Sequence, residues 1–162
     1  MSPSPGPDPS PPTPEEMATR VSGAKAAFNG AWDLIDLAER TPEQEREMLL
    51  SAAASRYLWA AAGGEGGEQA LAIGDWQVAH VLSLMGAGDL ALKFASAALD
   101  RVRANGWTDW RLASAEEGMA RAYAAIGDRD ARDRHAQACR HLLTSLEAED
   151  QEIIGGQLAT VP

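Results

Sequence analysis

Apolar residues recur at intervals of three and four along most of this chain, which is the spacing of one face of an α-helix. A clear early example is the series Phe28, Trp32 and Ile35, with the acidic residues Asp33 and Asp36 beside it. Stretches rich in Val, Ile and Thr, which favour strands, are few. The pattern therefore predicts an all-α protein.

Helix boundaries are marked by residues that satisfy free backbone groups or cannot continue a helix. Thr41, Pro42 and Gln44 form the sequence signature of a capping box with proline in the first turn. They predict that the first helix, whose pattern begins near Met17, ends before Thr41 and that a second helix covers residues 42–62. Because the connection is short, these two helices are expected to be antiparallel neighbours.

Four further helices are expected after a glycine-rich break at residues 63–67, which lacks the lysine of a phosphate-binding loop and is interpreted as a flexible loop. The four helices cover about residues 68–85, 89–104, 110–126 and 129–149. Gly74 indicates a kink or a close contact in the first of them, and Asp89 is the expected N-cap of the second. Gly155-Gly156 is expected to end any helix that continues beyond residue 149.

A unit made of one helical stripe, a glycine-centred turn and a second, alanine-rich stripe occurs twice between residues 76 and 143. Equivalent positions of the two units are 41 residues apart in the first helix of the unit and 40 residues apart in the second helix. The matched positions include Ala79 with Ala120, Leu82 with Tyr123, Gly86 with Gly127, Ala91 with Ala131, and Ala98 with Ala138. Two helices joined by a tight turn and repeated in this way are typical of helical-repeat proteins.

The two units resemble the tetratricopeptide repeat, in which a Leu-Gly-x-x-Tyr helix is followed by a glycine turn and an alanine-rich helix. The resemblance in the second unit is carried by Met119, Ala120, Tyr123, Gly127, Ala131, His135 and Ala138. In the first unit it is carried by Val78, Ala79, Leu82, Gly86, Ala91, Ala95 and Ala98. Both units exceed the usual length of about 34 residues. With residues 25–62 as a third hairpin, the resemblance implies a right-handed stack of about three antiparallel helical hairpins.

Proteins of that family bind peptides or partner domains on the concave face formed by the first helix of each hairpin. Transferred to this chain, the face comprises Trp76, His80, Ser83, Ser114, Glu117 and Arg121. Trp76 and Arg121 belong to residue types that are frequent at binding hot spots. The resemblance therefore implies a non-enzymatic protein–protein interaction module that presents an acidic groove to a peptide or partner subunit. The alternative is that Trp76 packs in the core while the other five residues are solvated.

The charge of the chain narrows the range of partners. It has 14 Lys and Arg against 24 Asp and Glu, which gives a formal net charge of −10. This charge would repel nucleic acid and anionic membranes, because no basic stripe offsets it. No apolar run reaches the length of a membrane span and no signal peptide is recognisable, so a cytoplasmic location is expected.

Glu116 and His135 are the only pair of residues with a case for chemistry. His135 stands where the repeat pattern expects an apolar residue that faces the preceding helix, so Glu116 or Glu117 can lie across from it. We expect a structural hydrogen bond here, and a metal-binding or small-molecule enzyme site on the same pair is the alternative. Because no metal-ligand spacing is present, no metal and no cofactor is predicted. Cys139, the only cysteine, is expected to be a buried, unreactive thiol.

The chain is expected to have three parts. Residues 1–17 read as a disordered proline-rich arm, residues 18–154 as the helical-repeat domain and residues 155–162 as a C-terminal tail. The two ends of a short helical stack expose apolar surface unless something covers them. A homodimer of a self-associating structural protein is therefore the second functional hypothesis.

Overall fold

The structure is a computed structural model that describes residues 11–64 and 67–162. These residues form seven α-helices and no β-strand, so the prediction of an all-α protein is confirmed. The helices are α1 (Pro14–Ile35), α2 (Pro42–Ala62), α3 (Gly67–Leu84), α4 (Gly88–Ala104), α5 (Trp110–Ile126), α6 (Arg129–Leu143) and α7 (Ala148–Ala159). Within the two described ranges, no helix combines the length and the apolar character that crossing a membrane requires.

Helix α1 begins at Pro14, inside the segment that was expected to be part of the disordered arm. The Thr13 side chain accepts a hydrogen bond from the backbone N–H of Glu16, and the Glu16 carboxylate accepts one from the N–H of Thr13. This capping box satisfies two backbone donors, and Pro14 has no N–H that needs a partner. Residues 1–10 of the arm lie outside the described part of the chain.

Helix α2 begins as the sequence predicts. The Thr41 side chain accepts a hydrogen bond from the N–H of Gln44, whose side-chain oxygen accepts one from the N–H of Thr41. The helix ends at Ala62, and Gly63 and Gly64 follow with φ values of 61° and 89°, a region that favours glycine. Residues 65 and 66 of the expected loop lie outside the described residues.

Helix α4 does not have the predicted cap. Its N-cap position is occupied by Ala87, whose side chain makes no capping bond, and Asp89 lies in the first turn instead. There its negative charge complements the positive end of the helix dipole. Helix α6 begins in the more usual way, because Asp128 accepts a hydrogen bond from the N–H of Ala131 at 3.0 Å.

The C-terminal region contains a helix that the sequence pattern does not predict. Helix α7 passes through Gly155 and Gly156, so this pair does not end the helix as expected. Each glycine weakens a helix by about 1 kcal/mol relative to alanine. Burial of Ile154 and Leu158 against α5 and α6 offsets that cost, because a buried side chain of this size contributes about 1.5 to 3 kcal/mol.

Helices that are consecutive from α1 to α6 pack against each other, α3 also contacts α5, and α7 contacts both α5 and α6. One apolar core lies among α1 to α5 and includes Met48, Val81 and Leu99. A second core lies among α5, α6 and α7 and includes Cys139 and Ile154. Alanine is the commonest residue in both cores. Small side chains of this kind allow helix axes to approach closely.

Gly74 lies where α3 crosses close to α2. A Cβ atom at this position would lie 2.7 Å from Cδ and 3.3 Å from Cα of Arg56. The glycine therefore marks a close helix contact, which is one of the two interpretations that the sequence allowed. Arg56 Nε also donates a hydrogen bond to Asp75 Oδ1 at 2.5 Å, which joins the same two helices.

Candidate functional site

The residues predicted to line a groove lie on α3 and α5, and four of them are in the interior. Trp76, His80, Glu117 and Arg121 have exposed fractions of 8%, 4%, 0% and 3%. Helices α3 and α5 pack directly against each other, so most of the surface of these four side chains is enclosed. Trp76 and Arg121 both contact Glu117, and the three residues are called the α3–α5 cluster below.

In the α3–α5 cluster, both carboxylate oxygens of Glu117 have a partner. Trp76 Nε1 donates to Glu117 Oε2 at 2.9 Å, and Arg121 Nε donates to Glu117 Oε1 at 2.8 Å. Gly118 makes room for the indole, since a Cβ atom there would lie 2.7 Å from Trp76 Cδ1. A buried charge requires this kind of pairing, so the cluster has the properties of a structural link between α3 and α5.

Arg121 also connects α5 to α7. Its Nη2 donates to the backbone oxygen of Gln157 at 2.7 Å and to Thr160 Oγ1 at 2.8 Å. These acceptors lie at the C-terminal end of α7, where Gln157 O also accepts a hydrogen bond from the N–H of Thr160 and a positive charge is favourable. The buried guanidinium therefore joins α5 to α7, while Glu117, to which it is bonded, accepts the hydrogen bond from Trp76 on α3.

His80 lies one turn along α3 from Trp76 and lacks polar partners of this kind. Its ring makes edge contacts with Trp32 and Trp76, at centroid distances of 5.3 Å and 6.0 Å. Its Nδ1 is buried and has no hydrogen-bond partner among the residues that the structure describes. Burial lowers the pKa of His80 to about 3, and the positive charges of Arg121 and Arg40 act in the same direction. The imidazole is therefore neutral near pH 7.

His80 and Arg121 line a cleft between α1 and α7 that has a volume of about 470 Å³. Three apolar residues at this cleft, Leu37, Leu84 and Ile153, remain 38%, 37% and 53% exposed. Small-ligand sites typically have volumes of about 300 to 1,000 Å³ and apolar walls with a few polar groups. This surface, called the α1–α7 cleft below, has that character.

Unpaired polar atoms are concentrated at the α1–α7 cleft. Arg40 Nε, His80 Nδ1 and Gln157 Oε1 are all buried without a hydrogen-bond partner in the described ranges, and all three residues line the cleft. Arg40 Nη1, in contrast, donates to three backbone oxygens at the end of α1. Most buried polar atoms in folded proteins have a partner, so these three atoms are exceptions that the described protein atoms leave with unused hydrogen-bonding capacity.

The α1–α7 cleft does not have the acidic lining expected of the predicted groove. The charged residues that line it are Asp36, Arg40 and Arg121. Among the acidic residues that the structure describes, Asp36 alone lines this cleft, so the excess of negative charge in the described ranges lies elsewhere.

The two serines of the predicted groove are half-buried and lie apart from each other. Ser83 Oγ donates to the backbone oxygen of Ala79 at 2.8 Å, a bond within its own helix. Ser114 lines a separate small cavity of about 40 Å³ together with Trp76. The structure therefore brings His80 and Arg121 together at the α1–α7 cleft but does not place all six predicted residues on one surface.

Glu116 and His135 are in direct contact, as the sequence pattern proposes. His135 Nδ1 lies 2.6 Å from Glu116 Oε2, and Arg103 Nη2 donates to Glu116 Oε1 at 3.2 Å. The imidazole also stacks on Tyr123 with a centroid distance of 5.4 Å. The carboxylate thus joins α5 to α4 and α6. No group of three or more His, Cys, Asp or Glu residues suited to a metal ion occurs in the described residues.

Cys139 lies in the second core and is fully buried, so the prediction of a buried thiol is confirmed. Burial raises its pKa to about 12, and the negative charges of Glu117 and Glu116 contribute to the increase. The thiolate is the nucleophilic form of cysteine, and this side chain is protonated near pH 7.

Among the described residues that line the α1–α7 cleft, only His80 and Arg121 belong to the predicted groove, so Arg40 and Gln157 are among those that the sequence prediction missed. Arg40 belongs to the connection between α1 and α2, where helical periodicity assigns no face. Gln157 follows the Gly155-Gly156 pair that was expected to end the helix. The only signal in the sequence for Arg40 was its position directly before the capping residue Thr41. The cap fixes where α2 begins, and therefore places Arg40 in the connection between α1 and α2.

Comparison with protein-family models, with curated proteins and with solved structures gives no match to this chain. The resemblance to the tetratricopeptide repeat therefore rests on the repeated residues alone and stays a prediction.

Proposed function

We propose that this chain is a non-enzymatic protein-interaction module that binds a peptide or partner subunit in the α1–α7 cleft. In this proposal α1–α2, α3–α4 and α5–α6 are three hairpins of a right-handed stack, and α7 covers the last hairpin. The observation that carries the proposal is the position of His80, a neutral side chain with an unpaired buried nitrogen, in a cleft with exposed apolar residues.

The surroundings of the cleft support binding without a large rearrangement. The buried residues of the α3–α5 cluster hold His80 and Arg121 in position. Arg121 in turn holds the end of α7 through its hydrogen bond to Gln157. A surface that is already ordered leaves only the ordering of the partner as an entropic cost of association. The exposed Leu37, Leu84 and Ile153 offer apolar area that a partner would remove from water.

Affinity capture with matched variants tests this function. Ile153→Asp places a charge at the cleft, and Leu90→Asp places one on α4, at a residue that is similarly exposed and does not line the cleft. We expect a partner from a lysate of the source to be retained by the wild type and by Leu90→Asp and to be lost by Ile153→Asp. Circular dichroism checks that both variants are folded. Equal retention by the two variants would show that the cleft is not the binding surface.

Self-association through α2 is a second candidate function. Leu50 and Tyr57 are 62% and 72% exposed, and the alanines between them, Ala53 and Ala54, are exposed as well. These positions share one face of the helix. If two α2 helices pair antiparallel about a point between Ala53 and Ala54, Leu50 of one copy faces Tyr57 of the other, as a two-fold interface requires.

Sedimentation velocity over a wide range of protein concentration tests the second candidate. We expect a concentration-dependent dimer for the wild type and a monomer for Tyr57→Asp, which places a charge opposite Leu50 of the second copy. A wild-type chain that remains monomeric at the highest concentration would rule out this interface. The Ile153→Asp variant should dimerise like the wild type, which separates the two surfaces.

A further inference from the structure

We propose that the α1–α7 cleft recognises the main-chain amide of an extended, apolar peptide segment. This inference rests on the protein-binding function proposed above and specifies the chemistry of the ligand. It is derived from the hydrogen-bonding capacity of the unpaired atoms, from the charges at the cleft and from the exposed apolar side chains.

The unpaired atoms at the cleft require both an acceptor and a donor. Arg40 Nε can only donate a hydrogen bond, and Gln157 Oε1 can only accept one. Neutral His80 can donate or accept, according to which ring nitrogen carries the proton. A carboxylate or phosphate offers acceptors alone, and an ammonium group offers donors alone. A peptide group offers a carbonyl oxygen and an N–H together.

The charges at the cleft favour a neutral ligand. Arg40 and Arg121 are positive, while Asp36 lines the same cleft and Glu117 is bonded to Arg121. The formal charges of these four groups cancel. An ion that moved from water into this cleft would meet no net opposite charge. No net attraction would therefore offset the cost of its desolvation. An uncharged amide avoids that cost.

The ligand should be extended and apolar. In an α-helix the main-chain amides are paired within the helix, so a helical ligand could not supply Arg40 and Gln157 with partners. An extended segment leaves these groups available. Its side chains would cover Leu37, Leu84 and Ile153, which are otherwise exposed to water.

The proposal is tested by NMR titration of the full, ¹⁵N-labelled chain with N-acetyl-L-leucine N-methylamide. This probe carries an apolar side chain between two peptide groups and should bind with a Kd of about 1 mM, given its small size. We expect shifts of backbone amide signals from residues of the α1–α7 cleft. The ring nitrogens of His80 should also shift, because one of them gains a hydrogen bond.

Two related probes distinguish the amide from other chemistry. The methyl ester of N-acetyl-L-leucine keeps the shape and the carbonyl groups but lacks the second N–H, so it should bind about tenfold more weakly. The N-acetyl-L-leucine anion should bind more weakly than the methylamide as well. Tighter binding of the anion would mean that the cleft is an anion site, and equal binding of all three probes would mean non-specific apolar contact.

A variant of Gln157 tests the same bond from the protein side. Gln157→Met removes the acceptor Oε1 but keeps the backbone oxygen that binds Arg121. It should weaken the methylamide about tenfold and leave the ester unchanged. Gln151→Met, on the exposed side of α7, is the matched control and should bind all probes like the wild type.

The outcomes separate this inference from the function on which it rests. If the methylamide causes no shifts at the cleft while Ile153→Asp still loses a captured partner, the partner docks there by other contacts and the amide proposal is wrong. If neither experiment shows binding at the cleft, both proposals fail. Shifts at His80 that depend on the N–H of the probe and on Gln157 would establish the ligand class.

Discussion

The α3–α5 cluster and the α1–α7 cleft are neighbours that treat buried polar groups in opposite ways. In the cluster, each oxygen of Glu117 accepts a hydrogen bond, and Arg121 has partners on α5 and α7. In the cleft, Arg40, His80 and Gln157 each keep a buried atom without a partner in the described residues. Buried polar atoms thus have different consequences in the two places, because paired groups stabilise the fold and unpaired ones retain hydrogen-bonding capacity, which we propose a ligand uses.

The largest expected effect is the loss of the carboxylate from the cluster. Glu117→Ala leaves the guanidinium of Arg121 buried without its counter-charge, which should lower the free energy of unfolding by about 3 to 5 kcal/mol. Urea unfolding measures this change. The double variant Glu117→Ala/Arg121→Met should be less destabilised than the sum of the single variants. A loss below about 1 kcal/mol for Glu117→Ala would contradict the structural role of the cluster.

The cleft should show a pH dependence of stability that comes from His80. The pKa of His80 is lowered from 6.5 to about 3, so between these values the unfolded chain binds a proton and the folded chain does not. Its contribution to stability is complete above pH 6.5 and is lost as the pH falls towards 3. At about pH 4.5 the wild type should have lost about 2 to 3 kcal/mol more than His80→Leu. Parallel curves for the two proteins would contradict the burial of a neutral imidazole.

Gly118 tests how tightly Trp76 is packed in the cluster. Gly118→Ala should destabilise the protein by about 1 to 3 kcal/mol, although alanine favours helices, because its methyl group would overlap Trp76. Gly30→Ala in α1 is the control, since a Cβ atom there meets nothing within 4 Å. That change should raise stability by up to about 1 kcal/mol. Thermal unfolding of both variants gives the comparison, and a stabilising Gly118→Ala would mean that the indole moves easily.

The smallest change in stability is expected at a third polar group, the contact between Glu116 and His135. His135→Phe removes the hydrogen bond to Glu116 and leaves that buried carboxylate with Arg103 alone, which should cost about 1 to 2 kcal/mol. His141→Phe, at an exposed position of the same helix, should change stability by less than about 0.5 kcal/mol. An unchanged or higher melting temperature for His135→Phe would show that the contact does not stabilise the fold.

The helices of this chain could be predicted because their signals are local. The capping box at Thr41, the turn at Gly127 and the spacing of apolar residues each depend on a few neighbouring residues. The failure at Gly155-Gly156 has the opposite cause. Those glycines disfavour a helix locally, but the burial of Ile154 and Leu158 by distant residues of α5 and α6 outweighs the preference.

The candidate site could be predicted only in part for the same reason. Helical spacing places His80 on α3 and Arg121 on α5, and both residues line the α1–α7 cleft. The contact of Glu116 with His135 follows from the same spacing. Spacing carries no information about what covers these residues. The roles of Arg40 and Gln157 depend on where α1 ends and where α7 docks, which are long-range properties of the fold.

The single cysteine gives this protein a built-in reporter of the motion of α7. Cys139 lies in the core that α7 helps to form, and both its burial and its raised pKa protect it in the closed state. An aromatic disulfide reagent can therefore react only during transient opening of this region, at a rate set by the open population. Arg121→Met removes the hydrogen bonds that hold the end of α7, so it should accelerate that reaction. The reaction rate of Cys139 thus measures how often α7 detaches from the rest of the chain.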